Sequence, residues 1–397
     1  MKSMQRILFI AAISFTLLSC NDDDTDPKGY LVSTEFYGNF DAETLQTLMA
    51  TAGIDLDPAL IQYDVEMYRM VYRTTYKGSD IEASGMIAMP VNSPDEVGMV
   101  SFQHGTIASH EDAPSQMQPG ESVANLYAAL ASTGYIVPIP DYIGFGSSDD
   151  ISHPYYVEEA TADAVIDMLR ASKEFAASVN VSFDGSLFLA GYSQGGYATL
   201  AAHKAIESEG LEGFNLKASF PASGGYDVKG MQEYFFDLTE YNQPFYIAYV
   251  AHAYSKHYEW TEPFSTIFQE PYATAIPSLF DGSKSADAIN DELTDIIADL
   301  IHPEVLENID DPQYDFITEG FVENGLTDWV PAIPVHFYHG DADITVPYQN
   351  SVDTYEQLIA NGASETIITF TTLDGATHSS GIFPYIEEFV PLMLSID

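Results

Sequence analysis

Gly191-Tyr192-Ser193-Gln194-Gly195 does more than any other stretch to limit the folds open to this chain. It is entered through the apolar run Leu187-Phe188-Leu189-Ala190 and left through an alanine-rich segment ending near Glu209. Strand-type residues before it and helix-type residues after it predict a sharp turn that holds a serine side chain up and exposed. The residues two positions away on either side must be small, because the two backbones pass close to each other. The following helix aims free N–H groups back at the serine, where a negative charge would develop. Ser193 is therefore the candidate nucleophile, and the amide of Gln194 is one candidate oxyanion donor.

The rest of the chain supplies a setting for that turn. Val65 to Tyr76 and Ile81 to Met89, joined by Lys77-Gly78-Ser79-Asp80, predict an antiparallel hairpin, with a short helix over 41–53 before it. Strands at Val97–Phe102, Tyr135–Pro140, Leu187–Ala190, Leu216–Phe220, Val335–Tyr338 and Thr366–Thr371 then alternate with helices. The helices fall at Glu121–Ser132, Glu158–Val179, Gln194–Glu209, about 349–360 and about 385–394. This rhythm predicts an α/β fold with a mostly parallel central sheet and helices on both faces. It breaks over 226–330, which carries 19 aromatics in 105 residues against 13% in the whole chain. Asp287 to Leu306 has helical spacing. The expected division is a core at 36–225 and 331–397 with a helical, aromatic-rich cap inserted at 226–330. Most of those aromatics must form the cap's own core, and some are expected to line an apolar pocket.

The N-terminus speaks to compartment. Lys2 and Arg6 precede the apolar run Ile7–Leu18, too short to span a bilayer as a helix, so 1–19 predicts an export signal. Leu17-Leu18-Ser19-Cys20 resembles the bacterial lipobox, which implies lipidation at Cys20 and an anchor in the outer membrane. The acidic run at 22–26 resembles the surface-export signal of Bacteroidetes lipoproteins, and residues 20–35 are expected to form a solvated tether. Cys20 is the only cysteine, so no intramolecular disulfide can form.

Charge narrows the partners. The chain carries 13 Lys+Arg against 60 Asp+Glu, a net −47, which falls to about −49 once Lys2 and Arg6 are removed. Such a body repels nucleic acid and anionic headgroups, so the expected partner is a small-molecule or lipid ester, with membrane contact only through Cys20. An acidic surface of this kind suits a saline habitat. No H-E-x-x-H or calcium-loop spacing occurs, so neither metal nor cofactor is expected. The oligomeric state leaves no mark in the sequence.

His104-Gly105-Thr106, Pro140-Asp141-Tyr142-Ile143-Gly144-Phe145-Gly146, Gly191 to Gly196, and Gly340-Asp341-Ala342-Asp343 with a late His378 together resemble the α/β-hydrolase superfamily. Within it they are similar to the secretory lipase-type family. The resemblance runs from about Val65 to the C-terminus and implies ester hydrolysis through an acyl-enzyme, with no cofactor. In the H-G-x-x-D-x-x-V-P signature, matched at 339–347, it implies Asp343 as the acid. Asp341 and Asp227 remain rivals. His378, in the small-residue loop after the last strand, completes the order Ser, acid, His as general base. A second oxyanion donor is expected from the loop after Val97–Phe102, at Thr106 or at Gly105, with His104 bracing that loop and Asp141 structural. The alternatives are a serine peptidase of the same fold and a surface binding lipoprotein without catalysis.

Overall fold

The computed structural model describes residues 29–93 and 96–396. The expected signal at 1–19, Cys20 and the acidic run at 22–26 lie outside the described residues. No helix among the described residues is long and apolar enough to cross a membrane.

Two sheets run into one another. The first pairs β1 (Leu31–Phe40), β2 (Asp64–Tyr76), β3 (Ser79–Val91) and β5 (Val137–Pro140), all antiparallel. The second pairs β4 (Glu96–Gln103), β6 (Ser182–Tyr192), β7 (Asn215–Ala222), β8 (Val335–Gly340) and β9 (Ile368–Leu373), all parallel. A parallel bridge between Met99 and Ile136 joins them, with Val100 N–H donating to the Ile136 carbonyl at 2.9 Å. The parallel sheet with its surrounding helices is the α/β-hydrolase architecture expected from the sequence.

The continuous apolar runs are explained by burial on both faces. Along β6, Leu187 and Leu189 join the core beneath α3 (Glu158–Ser178) and α4 (Gln194–Glu209). Phe188 and Ala190 point the other way, into a core shared with α1 (Ala42–Ala52), α2 (Ser122–Ala131) and α13 (Ile382–Leu394). Parallel register aligns the strand ends. Gln103 pairs with Gly191, Ala222 with Tyr338 and Gly340 with Leu373, so the loops leaving β4, β6, β8 and β9 gather at one end of the sheet.

Two expectations need correction. The chain is a strand from Leu31, inside the range expected to be tether. Tyr37 is its one buried residue, so β1 shows no alternation. Backbone pairing to β2 holds it instead, along with the Glu174 carboxylate, which accepts the amides of Tyr30 and Leu31 at 2.9 and 2.8 Å. The helical spacing at 287–306 is also broken into three pieces, α8 (Ala286–Asn290), α9 (Ile297–Leu300) and α10 (Pro303–Asn308). The backbone between them bonds elsewhere: Tyr241 N–H to Asp295, Gln269 N–H to Leu300 and His302 N–H to Ile267.

These pieces belong to a run of helices from α5 (Val228–Asp237) to α11 (Asp315–Glu323), including α6 (Phe245–His257) and α7 (Tyr272–Leu279), between β7 and β8. Asn324, just past α11, ties the run to α3 and α4. Its side-chain oxygen accepts the amide of Glu158 at 2.8 Å and its carbonyl accepts the hydroxyl of Tyr197 at 2.8 Å. That contact caps α3, whose own Val157 has no side chain able to do so.

Candidate active site

Ser193 sits between β6 and α4 with φ 61° and ψ −123°, a conformation a side chain of this kind rarely adopts. The cost is borne by close packing. A Cβ on Gly191 would meet the Thr199 hydroxyl at 2.7 Å, and one on Gly196 would meet the backbone of Ala222 at 3.0 Å. The Ser193 amide donates to the Ala222 carbonyl at 2.9 Å. The small residues anticipated in the sequence thus answer to specific neighbours.

His378 reaches Ser193 from the loop after β9. Its Nε2 is 2.9 Å from the Ser193 Oγ, and its Nδ1 is 2.6 Å from the Asp343 Oδ2. A carboxylate can only accept, so the proton lies on Nδ1 and the Nε2 lone pair faces the serine hydroxyl. The Tyr192 hydroxyl donates to the His378 carbonyl at 2.9 Å and steadies the loop. Gly340 lets the two loops touch, because a Cβ there would lie 2.8 Å from the Ala376 carbonyl carbon.

Asp343 is buried, and all its lone pairs are engaged. Oδ1 accepts the amides of Thr345 and Val346 at 2.9 and 3.0 Å, while Oδ2 accepts His378 and also His339, at 3.1 Å. Burial alone would push its carboxyl up, but the hydrogen bonds from His339 and His378 outweigh it and hold the group down at about 2. The rivals are occupied elsewhere. Asp341 is exposed and accepts the Gly375 amide at 2.6 Å, and Asp227 caps α5 through the Gly230 amide at 2.9 Å.

The loop after β4 runs alongside Ser193, since a Cβ on Gly105 would be 3.6 Å from the Ser193 Cβ. Thr106 follows, with its hydroxyl 2.9 Å from that of Tyr155. Gln194 opens α4, so its N–H has no partner within the helix. Its side chain is held from behind: Nε2 is 2.8 Å from the Nε2 of buried His153, whose Nδ1 is 2.6 Å from the Ile143 carbonyl. That carbonyl fixes the proton on Nδ1 and leaves Nε2 to accept from Gln194. Burial pulls the His153 imidazole down to about 3. Gly144 makes room for it, because a Cβ there would lie 2.6 Å from the His153 nitrogen.

His104 is buried, its Nδ1 2.7 Å from the Gly105 carbonyl, and burial lowers its imidazole to about 4. Asp141, also buried, accepts the Ser84 hydroxyl at 2.6 Å and the Ser115 amide at 2.8 Å. Among the described residues no hydrogen bond joins either of them to the Ser193 side chain. No cluster of metal-ligating side chains occurs among them either.

Ser193 opens onto a cavity of about 760 Å³, a volume that includes its open mouth. Its walls come mainly from the inserted segment, with Phe235, Tyr246, Phe268 and Phe321 among them, while Thr345 and Val346 border it beside Asp343. No charged side chain lines it among the described residues. His153 and His339 are the two residues at the site to which sequence reasoning gave no role. His339 stood inside the quoted signature, whereas nothing local distinguishes His153.

Residues 115–209 match the family model for secretory lipases. A search of curated protein sequences finds no match. Among solved structures, a Legionella pneumophila protein whose assignment as a hydrolase is provisional is 27% identical, with a TM-score of 0.83. The likeness covers 92% of this chain and 97% of that one. The rice cell wall degrading esterase LipA from Xanthomonas oryzae is 23% identical over 93% of this chain and 98% of its own, with a TM-score of 0.79. Candida antarctica lipase A in its closed state is 17% identical over 91% and 80%, with a TM-score of 0.64.

Proposed function

We propose that this chain, an α/β-hydrolase by fold, is a carboxylic-ester hydrolase in which Ser193, His378 and Asp343 act as nucleophile, general base and acid. The observation that carries the reading is the unbroken hydrogen-bonded line from Asp343 Oδ2 through His378 to Ser193 Oγ, at 2.6 and 2.9 Å, ending at the wall of an apolar cavity. The match to the secretory lipase model and the likeness to an esterase and a lipase support the same chemistry.

In this reading His378 takes the Ser193 proton as the Oγ attacks the ester carbonyl, and Asp343 stabilises the resulting imidazolium. The amides of Gln194 and Thr106 are assigned to the oxyanion, which is stabilised best by donors fixed before charge develops. His378 then protonates the leaving alcohol, the acyl group stays on Ser193, and a water activated by His378 releases it. No step calls for a cofactor. The cavity takes the acyl chain, because twenty mostly apolar and aromatic residues line it. Among the described residues the lining offers no carboxylate to a peptide's amino terminus, which favours esters over peptides. Export and anchoring at Cys20 complete the proposal, with the acidic body kept clear of anionic headgroups.

The test is hydrolysis of a p-nitrophenyl ester series from acetate to palmitate by the domain lacking its leader, beside Ser193→Ala. Activity lost in the variant upholds the reading. If no ester is cleaved although a fluorophosphonate labels Ser193, the substrate class is wrong and a peptide series follows. If neither occurs, the surface-binding alternative replaces it.

A further inference from the structure

The triad acid has a second histidine on it. His339, at the end of β8, lies 3.1 Å from Asp343 Oδ2, the same oxygen that accepts His378. Its Nε2 also lies 3.0 Å from the Val346 carbonyl, which cannot donate, so the proton is on Nε2 and points at the carboxylate. The other nitrogen, Nδ1, is 2.6 Å from the hydroxyl of Ser351 on α12 (Tyr348–Asn361), which can donate to it. Both the His339 and Asp343 side chains are fully buried, and the ring of Tyr348 stands edge-on against the imidazole. A single line of hydrogen bonds therefore runs from Ser351 through His339, Asp343 and His378 to Ser193.

We infer that His339 is a positioning residue for catalysis, which orients the Asp343 carboxylate and sets how strongly its Oδ2 holds the proton on His378. The inference rests on the Ser-His-Asp reading above. The two amides on Oδ1 fix only one oxygen, so without His339 the carboxylate has a free lone pair on Oδ2 and can pivot about the amide-bound one. A donor on Oδ2 also draws off negative charge that would otherwise face His378 alone. Removing it leaves a more basic carboxylate opposite the base, which then keeps its proton to higher pH.

Other ionisable groups near Asp343 are Tyr192 on β6, Tyr241 before α6 and Tyr246 on α6. Burial raises all three phenols, Tyr192 and Tyr246 to about 12, so they stay protonated through the acid limb. The hydroxyls of Tyr192 and Tyr241 are also engaged, with the carbonyls of His378 and Thr345.

The test is the pH profile of kcat/KM for p-nitrophenyl butyrate in the wild type, His339→Leu, His339→Gln and Ser351→Ala. His339→Leu should move the acid limb upward by about one unit and lower the plateau by roughly tenfold. His339→Gln, whose amide N–H reaches towards the same oxygen, should return the limb most of the way. A limb that stays in place in His339→Leu, however low the plateau, makes the residue merely structural and overturns the inference. So does a His339→Gln profile that follows His339→Leu. Should the leucine variant fail to fold, Ser351→Ala decides, with a smaller upward shift expected and an unmoved limb overturning. If no ester is cleaved, the same limb is read from the rate at which a fluorophosphonate labels Ser193, so failure of the ester reading leaves this result separate.

Discussion

Gly195 lies so close to Gln103 that a Cβ on the glycine would sit 2.6 Å from the Gln103 carbonyl carbon. The start of α4 thereby rests directly on the loop leaving β4, and Ser193 is brought beside the loop that carries Thr106. Gly195→Ala should drive these segments apart. We expect a loss of at least about 3 kcal/mol, seen as a fall in Tm or failure to accumulate soluble protein. A variant as stable as wild type would show that the two loops can part without harm.

His153 should matter for rate more than for binding. It holds the side chain of Gln194, the residue whose amide is proposed to meet the oxyanion. His153→Leu is expected to lower kcat roughly 10- to 100-fold with KM changed little. A rise in KM with kcat intact would place its influence on the pocket instead.

The depressed carboxyl of Asp343 ties stability to acid pH. Its folded value of about 2 lies below the unfolded 3.8, so the stabilisation is fully present above 3.8 and lost as pH falls through about 2. The shift amounts to about 2 kcal/mol. Asp343→Asn should be less stable than wild type at neutral pH, and denaturant curves taken towards pH 2 should converge. Curves that stay parallel at every pH would mean that the carboxylate's charge contributes nothing to folding.

Val250 lines the cavity from α6 and is only half-buried, so a larger ring there fills space without disturbing the core. Val250→Trp should cut kcat/KM for long p-nitrophenyl esters at least tenfold and leave the acetate almost unchanged. Equal losses across the series would mean the acyl chain lies elsewhere.

Much of this was legible because it is written locally. Leu187 to Ala190 reads as a buried strand and the alanine-rich stretch after it as a helix, so the turn at Ser193 follows from chain neighbours alone. Asp343 and His378 were candidates by resemblance and chain order, and the fold brings His378 to Ser193 across 185 residues of separation. β1 was missed because an edge strand with one buried side chain leaves no periodic trace. The helical spacing over 287–306 is realised as three short helices, because its amides and carbonyls found partners at 239–241 and 267–269.

By itself, then, the sequence determined the alternation of elements, the two-sided burial of the sheet, the turn at Ser193 and the candidates for acid and base. The first three follow from periodicity and from small residues at fixed offsets, properties of adjacent positions, while the acid and base candidates came from the resemblance and from chain order. Only the tertiary structure decided that His153 stands behind Gln194, that His339 shares an oxygen with His378, and that Asn324 caps α3 from the far side of the inserted helices. A buried polar group must find a partner wherever packing brings one, and that choice depends on the whole chain.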